Sequence, residues 1–142
     1  MKRFVLDASV ALSWCFEDRQ TPLGEAVLAA LKRGAAPVVP PLWMYEILNV
    51  LALARRKDIM DKAAAATFWN KASRAAAAVE NSGDTASKIM ELCERHGLTA
   101  YDAAYLELAL REGLPLATLD HELQKAARAA GVGLFAPEAG GS

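Results

Sequence analysis

Short apolar runs bounded by turn residues alternate along this chain with segments whose apolar residues recur at helical spacing. Phe4-Val5-Leu6 is the first run, and Pro37–Pro41, Ala77–Val79, Leu114–Thr118 and Val132–Phe135 follow. A continuous apolar run suits a strand covered on both faces, and a helix between successive strands lets them lie parallel. The alternation therefore predicts an α/β fold, with a central parallel sheet in a three-layer α/β/α arrangement.

The intervening segments read as helices by their spacing and their ends. A first helix follows Asp7 and runs through Trp14. Gln20 to Lys32 carries Leu23, Val27, Leu28 and Leu31, with Gly34 just beyond. Leu42 to Arg56 places Met44, Ile47, Leu48 and Leu51 on one face and Glu46, Asn49, Val50 and Leu53 on the other. Further helices are expected from Asp61 to about Ala76, from Thr85 to Arg95, from Tyr101 to Arg111 after Thr99, and from Asp120 to Ala130. At 142 residues and 54% hydrophobic content the chain suits one domain without disulfide staples, drawn as 1–136 with a loose tail over 137–142. Cys15 and Cys93 lack metal-ligand spacing and read as reduced core residues. With no leader and no apolar run approaching about 18 residues, a soluble cytoplasmic protein without membrane contact is expected.

Against this background four acids stand out. Asp7, Glu46, Asp102 and Asp120 are far apart in sequence, yet each lies beside apolar residues where a solvated charge is not expected. Carboxylates that converge lose hydration and repel one another, so a cluster of them calls for protons or bound cations. Each also has a plainer reading. Asp7 and Asp120 are placed to cap helices, Thr99 and Asp102 fit a capping box, and Glu46 fits an exposed helix end. Taken together they point to a divalent-metal site. Asp7 and Asp120 both follow predicted strands and should share the rim where ligands bind in open sheets.

Other residues could support such a site. Ser9 reads as a cap or as a contact to a metal-bound water, Asn49 is one helical turn from Glu46, and Thr118 sets a hydroxyl beside Asp120. His96 and His121 read as helix-end and surface residues. The net charge of −1 creates no global attraction for nucleic acid, so RNA contact would have to be local. Arg55-Arg56-Lys57 is the densest basic run and could guide an RNA backbone, with Lys71 and Arg74 similar candidates on the neighbouring helix; a solvated helix end is the commoner explanation for such a run.

Read in order, Phe4-Val5-Leu6-Asp7-Ala8-Ser9, Glu46-Ile47-Leu48-Asn49, Thr99-Ala100-Tyr101-Asp102-Ala103-Ala104-Tyr105 and Ala117-Thr118-Leu119-Asp120 closely resemble the PIN-domain ribonucleases, above all the VapC-type toxins of toxin–antitoxin pairs. The resemblance spans nearly the whole chain. It implies that Asp7, Glu46, Asp102 and Asp120 are the acidic metal-binding and catalytic positions, with Ser9, Thr118 and Asn49 in support. It further implies a Mg²⁺- or Mn²⁺-dependent endoribonuclease holding one or two ions, with RNA as substrate and products ending in 5′-phosphate and 3′-hydroxyl. A homodimer and a VapB-type antitoxin lying across the active-site groove are the implied partners. Trp14, Trp43, Phe68 and Trp69 could furnish such surfaces or simply the core. Some family members carry a further acid soon after the fourth; here His121 and Glu122 follow Asp120. A non-catalytic PIN-like RNA- or protein-binding module is the alternative. A haloacid-dehalogenase-like phosphatase would need a second Asp at position 9, where this chain has Ser9.

Overall fold

Strand β1 (Arg3–Leu6) lies between β2 (Ala36–Val39) and β4 (Leu116–Ala117), and β3 (Ala77–Ala78) pairs with the outer side of β2, all in parallel. The computed structural model describes residues 2–136, and the expected tail over 137–142 lies outside them. Helices α1 (Ala8–Ser13), α2 (Pro22–Lys32), α3 (Leu42–Arg56) and α4 (Lys62–Ala75) form one packed set. There α1 meets α2 and α3, and α3 meets α4. Helices α5 (Thr85–His96), α6 (Ala100–Glu112) and α7 (His121–Ala129) form the other, centred on α6. The sheet between them completes the expected three layers. No helix among the described residues is long and apolar enough to cross a membrane.

The sequence signals account for most element ends. Thr21 and Asp61 cap α2 and α4 by accepting from Gly24 N and Ala64 N at 3.0 and 2.7 Å. Gly97 and Gly113 close α5 and α6 in the left-handed region at φ 66°, a conformation that penalises any residue with a Cβ. Pro37 sits inside β2 without breaking it. Ala36 N donates to Lys2 O at 2.7 Å on the β1 side, so Pro37 turns its missing donor toward β3, whose ladder starts only at Val38.

Two expectations changed on folding. Val132–Phe135 does not form a strand but a single bridge from Leu134 to Leu116, while Phe135 stacks on Phe4 at 4.9 Å. On α3 the buried stripe is Trp43, Ile47, Leu51 and Ala54, which leaves Met44 and Leu48 exposed. Trp43 accounts for that rotation, because its ring reaches Trp69 of α4 at 6.0 Å and sets which face α3 turns inward.

Candidate active site

The first acid is placed by the sheet itself. Leu6 pairs with Ala117, so the residues after them, Asp7 and Thr118, emerge side by side at the carboxyl end of two adjacent parallel strands. Asp7 N donates to Ala117 O at 3.0 Å, continuing the ladder by one step. Here the chain order reverses across the sheet, with β2 on one side of β1 and β4 on the other. Such a switch point opens a crevice between neighbouring strand ends.

Asp7 occupies the N-cap position of α1 but makes no side-chain capping bond. Its Oδ2 instead accepts from Thr118 Oγ1 at 2.6 Å and Ser9 Oγ at 2.8 Å. Both hydroxyls are themselves fixed, since Thr118 Oγ1 accepts from Asp120 N and Ser9 Oγ accepts from Leu119 N, each at 3.1 Å. A hydroxyl that accepts a backbone N–H has its single proton free to aim elsewhere, and here both protons aim at one carboxylate oxygen. Gln124 Nε2 donates to Thr118 O at 2.8 Å and secures the same turn.

The other three acids come from the amino-terminal parts of three helices. Asp120 caps α7 by accepting from Leu123 N at 3.1 Å, and Thr99 caps α6 by accepting from Asp102 N at 3.2 Å. The capping readings are therefore correct for Asp120 and for Thr99, and they orient acids toward the crevice rather than competing with that role. Glu46 projects from the second turn of α3 and is half-buried, not an exposed helix end. Asp7, Glu46, Asp102 and Asp120 line one cavity of about 340 Å³, together with Ser9 and Asn49. Arg55, Arg56 and Lys57 are not among its lining residues. They lie at the far end of α3, roughly 14 Å along the helix from Glu46, and Arg55 Nη1 is used on Met60 O.

Burial and like charge act on these carboxylates together. Asp7, only 6% exposed, has its carboxyl raised above the usual range by burial, with the Asp120 charge adding to the effect and the hydroxyl bonds opposing it. Burial likewise raises Glu46, with Asp7 and Asp102 as like charges. Asp102 is raised by burial and then by Asp120 and Asp7. Among the described residues none of the four forms a salt bridge. Nor do any three acid, histidine or cysteine side chains there gather closely enough to grip a bare ion. They line a chamber instead of closing on a point. A purely oxygen donor set around room for water suits a hard divalent cation, which Mg²⁺ above all binds through few carboxylates while keeping several waters.

Tyr105, on α6, has no site role in the sequence reading, where it figures only within the Thr99–Tyr105 stretch. In the structure it is fully buried, and its hydroxyl donates to Glu46 Oε1 at 2.5 Å while accepting from Ala8 N at 3.4 Å. The one available signal was a phenol three residues after Asp102, on the same helical face.

The family model for the PIN domain matches residues 4–129. No curated protein matches the chain. Among solved structures, it is similar to PAE2754 from Pyrobaculum aerophilum, at 25% identity over 88% of this chain and 79% of that one, with a TM-score of 0.68. It is also similar to VapBC2 from Rickettsia felis bound to a DNA fragment from its promoter, at 14% identity over 94% and 97% of the two chains, with a TM-score of 0.68. A third similar structure is VapC20 from Mycobacterium tuberculosis, described as a sarcin-ricin loop cleaving toxin. It is 15% identical over 94% of this chain and 99% of that one, with a TM-score of 0.64.

Proposed function

The chain belongs to the PIN domain family, and from that premise we infer that it is a Mg²⁺- or Mn²⁺-dependent endoribonuclease, the VapC-type toxin of a toxin–antitoxin pair. The observation that carries this reading is the convergence of Asp7, Glu46, Asp102 and Asp120 on one cavity with no salt-bridged cation among the described residues to balance them. A bound divalent ion would supply Lewis acidity at a phosphate oxygen and a water of lowered pKa.

The chain's own residues do the positioning. Asp7, whose Oδ2 accepts from both Thr118 and Ser9, is the principal holding carboxylate. Glu46, Asp102 and Asp120 enclose the chamber from three helices and set where an attacking water and a scissile phosphate sit. Asn49 on the cavity wall offers an amide to that water or to the sugar–phosphate backbone. No protein nucleophile is required: water adds at phosphorus as the P–O3′ bond breaks and the departing O3′ takes up a proton, which gives the 5′-phosphate and 3′-hydroxyl ends that the family resemblance implies. Four acids repel RNA unless cations reverse the local sign, so substrate binding depends on metal as cleavage does.

The similar VapBC2 structure and the VapC20 toxin support an antitoxin partner and RNA as substrate, with a homodimer and a cytoplasmic site of action following from the same reading. Purified chain incubated with a mixed RNA pool should cleave with Mn²⁺ or Mg²⁺ and not with chelator. Asp7→Asn should reduce the rate at least about a hundredfold, the scale of losing a preorganised charged group. Cleavage unchanged by chelator or by that substitution would reject the metal mechanism, and no cleavage under any of these conditions would favour a non-catalytic RNA- or protein-binding module.

A further inference from the structure

We propose that Tyr105 is a positioning residue of the acidic cavity, whose hydroxyl fixes Glu46 for cation binding by joining α6, α3 and the start of α1 through one oxygen. The proposal rests on the metal-dependent reading above and assigns a role to a residue outside the cavity wall. Three observations carry it. Tyr105 is fully buried among apolar residues, where a phenol without a defined partner is costly, and its packing alone would be met equally by phenylalanine. Its oxygen accepts from Ala8 N, the first helical residue of α1 and the neighbour of Asp7, so its proton is directed away from Ala8 and onto Glu46 Oε1. Glu46 Oε2 has no hydrogen-bond partner among the described residues and is left as the oxygen available to the cavity.

The arrangement repeats what Ser9 and Thr118 do for Asp7. In all three cases a hydroxyl accepts from a backbone N–H at the strand-end crevice and donates to a cavity carboxylate. Glu46 differs from Asp7 in standing on a helix rather than a strand end, so it has no ladder to fix it. The Tyr105 hydroxyl spans 59 residues of sequence to reach it and 97 to reach Ala8. It thereby ties the elements bearing Asp102, Glu46 and Asp7 into one unit. Partners that orient metal-binding side chains are commonly worth about ten- to a hundredfold in metal affinity.

The test is Mn²⁺ titration of the full-length, metal-free chain, read by the paramagnetic resonance of free Mn²⁺, for the unmodified protein, Tyr105→Phe, Glu46→Ala and the double variant. Tyr105→Phe should weaken Mn²⁺ binding about tenfold. In the RNA assay the loss should appear as a higher Mn²⁺ requirement, with KM for RNA at saturating Mn²⁺ unchanged. On the Glu46→Ala background the same substitution should have no further effect on affinity, because there is no carboxylate left to orient. Unchanged affinity in Tyr105→Phe, or an equal additional loss on the Glu46→Ala background, would overturn the positioning role and leave the nuclease reading intact. No Mn²⁺ binding by the unmodified protein would overturn both.

Discussion

Asp7 and Glu107 are both buried acids, 6% and 3% exposed, and the protein treats them in opposite ways. Glu107, in the second half of α6, takes a two-pronged bond from Arg111 at 2.9 and 3.0 Å, and Arg111 also donates to Glu80 O at 2.9 Å. That carboxylate has its counter-charge within the chain. Asp7 has hydroxyls and three neighbouring acids, and no cation among the described residues. Burial of an acid is therefore uninformative on its own; what separates structure from function here is whether the fold supplies the opposite charge.

Removing the counter-charge from Glu107 should be the larger perturbation of stability. Arg111→Ala leaves a buried carboxylate unpaired, and with Arg111 partly open to solvent the loss should be on the order of 2 kcal/mol in urea unfolding. Mn²⁺ affinity per folded molecule should be unchanged, and a parallel fall in affinity would erase the distinction between the two acids.

The opposite sign is expected at Asp7. Its folded carboxyl is raised above the unfolded value, as are those of Glu46 and Asp102. In the window just above the ordinary carboxylate range the folded chain therefore binds more protons than the unfolded one, so metal-free stability falls as pH rises through it. Asp7→Asn should flatten that fall and, near neutral pH without metal, raise stability, read as a higher Tm. Thermal unfolding across pH 4–8 with and without Mn²⁺ checks this, and a destabilised Asn variant would mean that the hydroxyl bonds already compensate the charge. The smallest change should come from Arg56→Ala, at most about threefold in KM for RNA and steeper at low salt, because this residue stands at the remote end of α3.

The elements of the fold could be read from spacing because helices and buried strands imprint their periods locally. Val132–Phe135 misled because four apolar residues look alike whether they pair along a full ladder or pack a ring against Phe4. The inward face of α3 was legible only in part, since both candidate faces were apolar and the contact between Trp43 and Trp69 selected one.

By itself the sequence determined the alternation that makes a covered parallel sheet, the caps that start the helices, and the four acids too close to apolar residues to be ordinary surface charges. Only the tertiary structure decided that those acids share a chamber, that Ser9 and Thr118 serve the same oxygen of Asp7, and that Tyr105 belongs with Glu46. The physical reason is register. Pairing Leu6 with Ala117 sets Asp7 beside Thr118 across 111 residues of chain, and no local pattern encodes which strand will lie next to which.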